Sequence, residues 1–337
     1  MVKARKFIVK QAFKGVPKRE DFEIVEYELP PLKDGEILIK TEWIGVDPFQ
    51  RGGAHFFEVP YDQFGYLVGE VVDSKNIKYP KGTKVVSFEG WCTYTIVNAD
   101  APPVYKVFNN TFYKLPNLQG LPESLGVGTI GMPGVSAYFG FLDVCKPKAG
   151  ETVVVTGAAG ACGSLVGQIA KIKGCKVIGF AGSDVKVRRL ETELGFDKAF
   201  NYKTVDVSKA LKEAAPEGID CYFDNVGGEI SSVIVKQMRP LGRVTVLGSV
   251  STYNKDSFYD YSDVQPFVSA NQITVQRFSY TTVEFSRWSQ AFDDLIKWIK
   301  SGQLKSPEHI TEGFDKLYDA FVGMLAGENF GKSVVKV

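Results

Sequence analysis

The chain has 337 residues, 44% of them hydrophobic and 23% charged, with a formal net charge of +1. That length has room for two domains with a core each, and the balanced charge, with no Lys/Arg block among aromatics, excludes nucleic acid and an anionic membrane surface as expected partners. The opening run from Met1 to Lys10 sustains no signal-peptide core and no later run is long enough to span a bilayer, so the expected location is cytoplasmic.

Residues 1–125 read as an all-β domain, with short strand-like runs at 22–27, 36–43, 65–72, 83–88 and 93–97 separated by Pro, Gly and Asp. An Asn-x-Thr triplet at 109–111 matches a glycosylation sequon, which means nothing in a cytoplasmic protein. From 126 to 302 strands alternate with helical patterns, the signature of an α/β fold with a doubly wound parallel sheet. Strands are expected at 152–156, 199–202, 220–224, 242–248 and 271–278, and helices through Ile169 and at 185–194, 207–215 and 231–238. Phe285, Trp288, Phe292, Leu295, Ile296 and Ile299 recur at helical spacing, so 285–299 is a helix with one apolar face. The last part, 303–337, carries a helix-like 314–325 and a closing strand that returns to the first domain.

The segment from Glu151 to Lys171 is the most informative. Thr152 to Thr156 is a β-branched run suited to a parallel sheet buried on both faces, and Gly157, Gly160 and Gly163 follow at three-residue spacing. Glycines there let the backbone turn sharply and approach a pyrophosphate, while the open amides of the next helix point at its charge. About 20 residues on, where NAD-binding chains place an acid for the ribose, this chain has Ala181-Gly182-Ser183. Asp184 comes late and suits a helix start. Lys186, with Arg188 and Arg189 behind it, supplies cations where a 2′-phosphate would sit, so NADPH is the expected cofactor; the plainer role of Lys186 is a solvated helix position.

Five cysteines, at 92, 145, 162, 175 and 221, lie far apart without Cys-x-x-Cys spacing, and His55 and His309 are the only histidines. A zinc site or a Ser-His-Asp triad is hard to build from that set, so no metal is expected, and a substrate carbonyl must be polarised by hydrogen-bond donors.

Gly45-Val-Asp-Pro-Phe-Gln-Arg51, Gly131-Met-Pro-Gly-Val-Ser-Ala-Tyr-Phe-Gly140, the 155–163 turn, Asn201-Tyr-Lys203, Phe223-Asp-Asn-Val-Gly-Gly228, Ser251-Thr-Tyr-Asn254 and Gly327-Glu-Asn-Phe-Gly-Lys332 occur in order along the chain. Together they resemble the zinc-independent medium-chain dehydrogenase/reductases over essentially the whole length. The resemblance implies a GroES-like β-rich catalytic domain formed by both chain ends and a Rossmann domain between them. It also implies NADPH-dependent reduction of the carbon–carbon double bond of a small enone or enal substrate, such as a 15-oxo-prostaglandin or an alkenal.

The family's cofactor contacts carry over to Gly160, Ala161, Cys162 and Gly163, to Lys186 and Tyr202 around the 2′-phosphate and adenine, and to Asn225. They continue through Leu247, Gly248, Ser249, Val250, Ser251, Thr252 and Tyr253, then Phe278, Ser279 and Tyr280, and end at Asn329. Each has a plainer alternative: Tyr202 as a strand end, Asn225 and Asn329 as turn residues. Tyr253 is the candidate catalytic residue, a neutral phenol that donates to an enolate oxygen or merely packs over the cofactor. Two departures stand out. Phe49-Gln50 replaces the family's usual Tyr-Met, which bears on substrate range, and Cys162 replaces the commoner valine, a packing change or a redox-sensitive thiol. A quinone reductase of the same fold and a non-catalytic NADPH-binding protein remain alternatives. An exposed edge strand near 271–278 would suit a homodimer.

Overall fold

The computed structural model describes residues 2–101, 112–255 and 261–337, and every element below is counted among them; the 109–111 triplet lies outside. The chain divides into two compact units, Met1–Gly131 with Glu308–Val337, and Met132–Pro307.

The first unit starts with β1 (Val2–Val9), β2 (Phe22–Leu29) and β3 (Glu36–Val46), then a short helix α1 (Phe49–Gly52) and β4 (Tyr61–Asp62). β5 (Leu67–Ser74), β6 (Lys84–Ser87), β7 (Tyr94–Asn98) and β8 (Phe112–Lys114) follow. β1 runs antiparallel to β2 from Val2↔Leu29 to Val9↔Phe22 and also pairs with β4. No sequence signal marked β1. Its Ala4, Phe7 and Val9 are buried, but the Lys and Arg residues between them dilute the apolar pattern.

The second unit opens with α2 (Met132–Phe139) and one turn of π-helix (Gly140–Cys145), also unmarked in the sequence. Every residue of α2 is buried, so there is no polar face to produce a period. The alternating part comprises β9 (Thr152–Thr156), α3 (Ala161–Ile172), β10 (Lys176–Ala181), α4 (Asp184–Leu194), β11 (Lys198–Asn201) and α5 (Val207–Ala214). It continues with β12 (Ile219–Asp224), α6 (Glu229–Val235), β13 (Met238–Val246), α7 (Gln265–Ala270), β14 (Thr274–Arg277) and α8 (Phe285–Lys300).

The six strands are parallel in the order β11-β10-β9-β12-β13-β14. This is the Rossmann arrangement, and the winding reverses between β9 and β12, where the crevice for a dinucleotide opens at the strands' carboxyl ends. Val153, Val154, Val155, Val177, Ile178, Cys221 and Phe223 have no exposed surface, as expected of strands covered on both faces. Helix α6 is shorter than the 231–238 pattern, because Met238 already pairs with Ile219. The segment 239–242 then bulges out before Arg243 meets Cys221, with Leu241 at φ +64°.

The chain returns to the first unit with β15 (Glu308–Glu312), α9 (Leu317–Ala326) and β16 (Lys332–Lys336). β16 lies parallel to β15 and antiparallel to β3, completing a seven-stranded sheet in the order β15-β16-β3-β5-β6-β8 with β7 on β3. Ile37, Ile39, Leu67, Val71, Trp91, Phe321 and Val335 form its core. The crossings fall at 131/132 and 307/308, a little beyond 125/126 and 302/303. The 3-10 turn Glu123–Val127 packs on β3 and β5, and Glu308 already belongs to a strand of the first unit. No helix among the described residues is long and apolar enough to cross a membrane.

Candidate functional site

The glycine turn is built for close backbone approach. β9 ends at Thr156, Gly157 turns the chain at φ +58°, and Gly160 begins α3 as its N-terminal cap. A Cβ on Gly163 would lie 2.3 Å from the Gly157 carbonyl oxygen and 2.9 Å from Ala158 Cα, so only glycine fits there. Ser164 is the first residue to bond back into the helix, to the Gly160 carbonyl at 3.0 Å. Ala161, Cys162 and Gly163 therefore make the first turn of α3, its partially positive end, which fits a pyrophosphate. The Cys162 thiol donates to the Pro133 carbonyl at 3.4 Å, which turns its side chain toward α2.

Next to this turn, at the carboxyl ends of β10 and β11, lie Lys186 and Tyr202. Ser183 caps α4 by accepting from the Lys186 amide at 3.4 Å. Lys186 is half-buried, and its ammonium is held below its ordinary pKa by burial and then by the charge of Lys203. Asp184 takes the Asn201 side-chain amide at 2.8 Å, tying the start of α4 to β11. Of the two arginines expected to help, Arg189 is engaged with Glu193 through contacts of 2.7 and 3.0 Å, and Arg188 is exposed.

The far side of the crevice is organised by a carboxylate that lies within the 223–228 motif and to which the sequence assigned no role. Asp224, at the end of β12, has no exposed surface and accepts from Thr156 Oγ1 at 2.9 Å, Ser231 Oγ at 2.6 Å, the Tyr261 hydroxyl, and the amides of Val226 and Gly227 at 2.8 and 3.0 Å. Asn225 follows, its Nδ2 donating to the Thr156 carbonyl at 2.7 Å, so it holds β12 against β9. The loop 247–253 is pinned to the same turn. Leu247 and Gly248 amides donate to the Asp224 carbonyl at 2.9 and 3.3 Å, Val250 to Asn225, and Ser251 to Val226.

Within that loop Thr252 Oγ1 donates to the Ser249 carbonyl at 2.8 Å, and the Ser249 amide reaches the Tyr253 hydroxyl at 3.4 Å. That hydroxyl also lies 3.0 Å from where a Gly248 Cβ would stand. Burial pushes the Tyr253 phenol above its ordinary pKa. Beyond β14, the Phe278 ring lies 3.1 Å from the position a Gly140 Cβ would take, Ser279 caps a short turn, and Tyr280 stands edge-on to Trp288. All carried-over positions from Gly160 to Tyr280 thus sit at the carboxyl ends of one parallel sheet.

Asn329 belongs to the other unit, where its Nδ2 donates to the Gly331 carbonyl at 2.7 Å and closes its own turn. In that unit Phe49 stacks with Phe88 at 6.2 Å and packs at a tilt against Phe64 at 5.9 Å. Gln50, fully buried, accepts from the Asp47 amide at 2.8 Å and donates to the Phe64 carbonyl at 2.7 Å. The departure from Tyr-Met therefore keeps the aromatic ring without its hydroxyl and exchanges a thioether for a polar brace. No group of three His, Cys, Asp or Glu side chains suited to a metal ion comes together among the described residues.

The chain is similar to known proteins along its length. A family model described as the N-terminal domain of oxidoreductase matches residues 5–104, and one described as zinc-binding dehydrogenase matches 161–301. Prostaglandin reductase 1 of Bos taurus is 46% identical over 337 residues, covering 100% of both chains. A 2-alkenal reductase (NADP(+)-dependent) of Nicotiana tabacum is 35% identical, over 100% of this chain and 98% of its own. The crystal structure of CurA in complex with NADPH from Vibrio vulnificus superposes with a TM-score of 0.90 at 30% identity, covering 99% of each chain.

Proposed function

Since the chain belongs to the medium-chain dehydrogenase/reductases, we propose that it is an NADPH-dependent reductase of the carbon–carbon double bond in α,β-unsaturated ketones and aldehydes, with 15-oxo-prostaglandins and alkenals as substrate types. Its full-length likeness to prostaglandin reductase 1 carries this reading. The turn suits the coenzyme on its own terms, because Gly163 lets the start of α3 pack directly on the Gly157–Ala158 backbone and present its N-terminal end, where a pyrophosphate is favoured.

In this assignment Gly160, Ala161, Cys162 and Gly163 hold the pyrophosphate through backbone amides, Lys186 and Tyr202 take the 2′-phosphate and adenine, and Asn225 accepts from a coenzyme hydroxyl. Residues 247–253, Phe278, Ser279 and Tyr280 complete the cofactor contacts of this unit. When bound, NADPH supplies the hydride that goes to the substrate's β-carbon. The protein's own task is to orient the enone, to keep a donor at the carbonyl oxygen as it becomes an enolate, and to let a proton reach the α-carbon. Tyr253 is assigned as that donor, since burial keeps its phenol protonated at neutral pH.

NADPH consumption measured side by side with an aliphatic enal, a 15-oxo-prostaglandin and a quinone tests the reading. Faster turnover of the first two is expected; a quinone consumed fastest, or no turnover at all, would overturn it.

The same reading includes a homodimer. β14 pairs on one side with β13, and its Thr274, Gln276 and Arg277 are exposed, so a second β14 would continue the sheet. Light scattering is expected to give the mass of two chains, and the mass of one would remove this part.

A further inference from the structure

β10 and β11 are parallel neighbours with Ala181 opposite Asn201, so the turns that leave their carboxyl ends lie side by side. From the first turn come Gly182, Ser183 and the start of α4; from the second, Tyr202 and Lys203. Gly182 is the point where they touch. A Cβ there would stand 3.3 Å from Tyr202 Cε1, 3.4 Å from the Tyr202 hydroxyl and 3.4 Å from Lys203 Cε. The aliphatic stem of Lys203 thus folds back across the end of β10 toward the turn that carries Lys186, and its ammonium lies 6.0 Å from the Tyr202 ring centroid.

The turn bearing Lys203 is fixed. Its amide bonds Asn201 Oδ1 at 3.2 Å, while Asn201 Nδ2 bonds Asp184 Oδ1 at 2.8 Å, so α4 and the Lys203 turn are joined through one asparagine. We propose that Lys203 is a second cationic contact for the adenosine 2′-phosphate, standing across from Lys186, and that it contributes to the choice of NADPH over NADH. This rests on the NADPH reading above and goes beyond it, since that reading gives the phosphate one ammonium and one phenol.

The electrostatics run the same way. Without an anion between them the two lysines repel, which is why the charge of Lys203 adds to burial in lowering the pKa of Lys186. A dianionic ester placed between them would turn that repulsion into two attractions, with the Ser183 hydroxyl at the α4 N-terminus as a further donor. The one carboxylate at this end of α4, Asp184, is tied to Asn201. Arg189 is drawn away by Glu193, so the second positive charge comes from the neighbouring turn, from a residue 17 positions later in the chain than Lys186.

The test is calorimetric titration of the full chain and its Lys203→Met, Lys203→Arg and Lys186→Met variants with NADPH, NADH, adenosine 2′,5′-bisphosphate and 5′-AMP. Lys203 is exposed, so Lys203→Met is expected to unfold at the parent's temperature. Lys203→Met should weaken NADPH and the bisphosphate about threefold to tenfold, as for a solvent-facing charge-assisted contact, and leave NADH and 5′-AMP unchanged. Lys203→Arg should retain parental affinity, and the difference should shrink as salt is raised.

An NADPH affinity within twofold of the parent's, or an equal loss for NADH, overturns the role of Lys203 while leaving the NADPH reading intact. A parent chain that binds NADH as well as NADPH overturns both.

Discussion

Asp224 shows how a single buried side chain can govern a binding crevice without pointing into it. Its carboxylate gathers Thr156 from β9, Ser231 from α6, Tyr261, and the amides of Val226 and Gly227, while its own carbonyl anchors Leu247 and Gly248. Asp224→Asn exchanges one accepting oxygen for a donor that faces other donors, so at least one bond to a charged acceptor is lost and one contact becomes repulsive. Urea denaturation is expected to show a loss of about 3 kcal/mol, with weaker NADPH binding because Asn225 and the 247–253 loop lose their anchor. Unchanged stability would mean that the hydroxyls satisfy one another without the carboxylate. Tyr253 makes the opposite case, a residue placed by its surroundings and free to act on a ligand. Tyr253→Phe is expected to lower turnover about 100-fold at an unchanged NADPH dissociation constant. Equal turnover in the two proteins would hand the proton to another group.

At the level of elements, the junction of β9 and α3 depends on backbone touching backbone. Gly163→Ala puts a methyl group 2.3 Å from the Gly157 carbonyl oxygen, a contact that no side-chain rotation relieves. The helix must back away, at a cost of about 1–3 kcal/mol, and its N-terminal turn shifts relative to Gly157. Thermal unfolding and NADPH titration should both register the change, and an alanine variant with parental affinity would show that the junction is looser than its geometry. This junction was legible in the sequence because its constraints are local: a β-branched strand, glycines at fixed spacing, a helix start. The central parallel strands β9 and β12 were legible for the same reason, since burial on both faces writes itself as an apolar run. Elements without a clean one-faced apolar pattern of their own left weaker traces. β1 hides its inward residues among lysines, α2 is apolar all round, and β15 offers Glu308-His-Ile-Thr-Glu312, which becomes a strand only beside β16. The site divides similarly. Lys186 and the glycine turn follow from spacing, whereas Asp224 and Lys203 gain their meaning from residues on neighbouring strands.

Across the whole molecule, the first unit is closed by the end of the chain. Lys332, at the start of β16, is buried beside Asp47 at 3.0 Å and donates to the Val46 carbonyl, 286 positions away in sequence, at 2.6 Å, and to the Ser333 carbonyl at 3.0 Å. Burial pushes the Asp47 carboxyl above its ordinary pKa, and the ammonium of Lys332 pulls it back. Lys332→Met therefore strands a buried carboxylate, with an expected loss of about 3–5 kcal/mol at neutral pH. The sign of the pH dependence follows from the direction of that shift. Removing Lys332 raises the folded-state value of Asp47 further above that of the unfolded chain, and a group raised in this way contributes stability at low pH that is lost as pH rises through its folded value. The deficit of Lys332→Met should thus be smallest in acid and grow from about pH 4 upward. In the double variant Asp47→Asn/Lys332→Met no charge is left to bury, so its stability should exceed that of Lys332→Met at neutral pH and lack the pH dependence that Asp47 brings to the other two proteins. Urea denaturation of the three proteins across that range separates the possibilities: a deficit in Lys332→Met that does not vary with pH would assign the contribution of Lys332 to its packing and its bonds to the two carbonyls, and remove the charge pair from the closure of the unit.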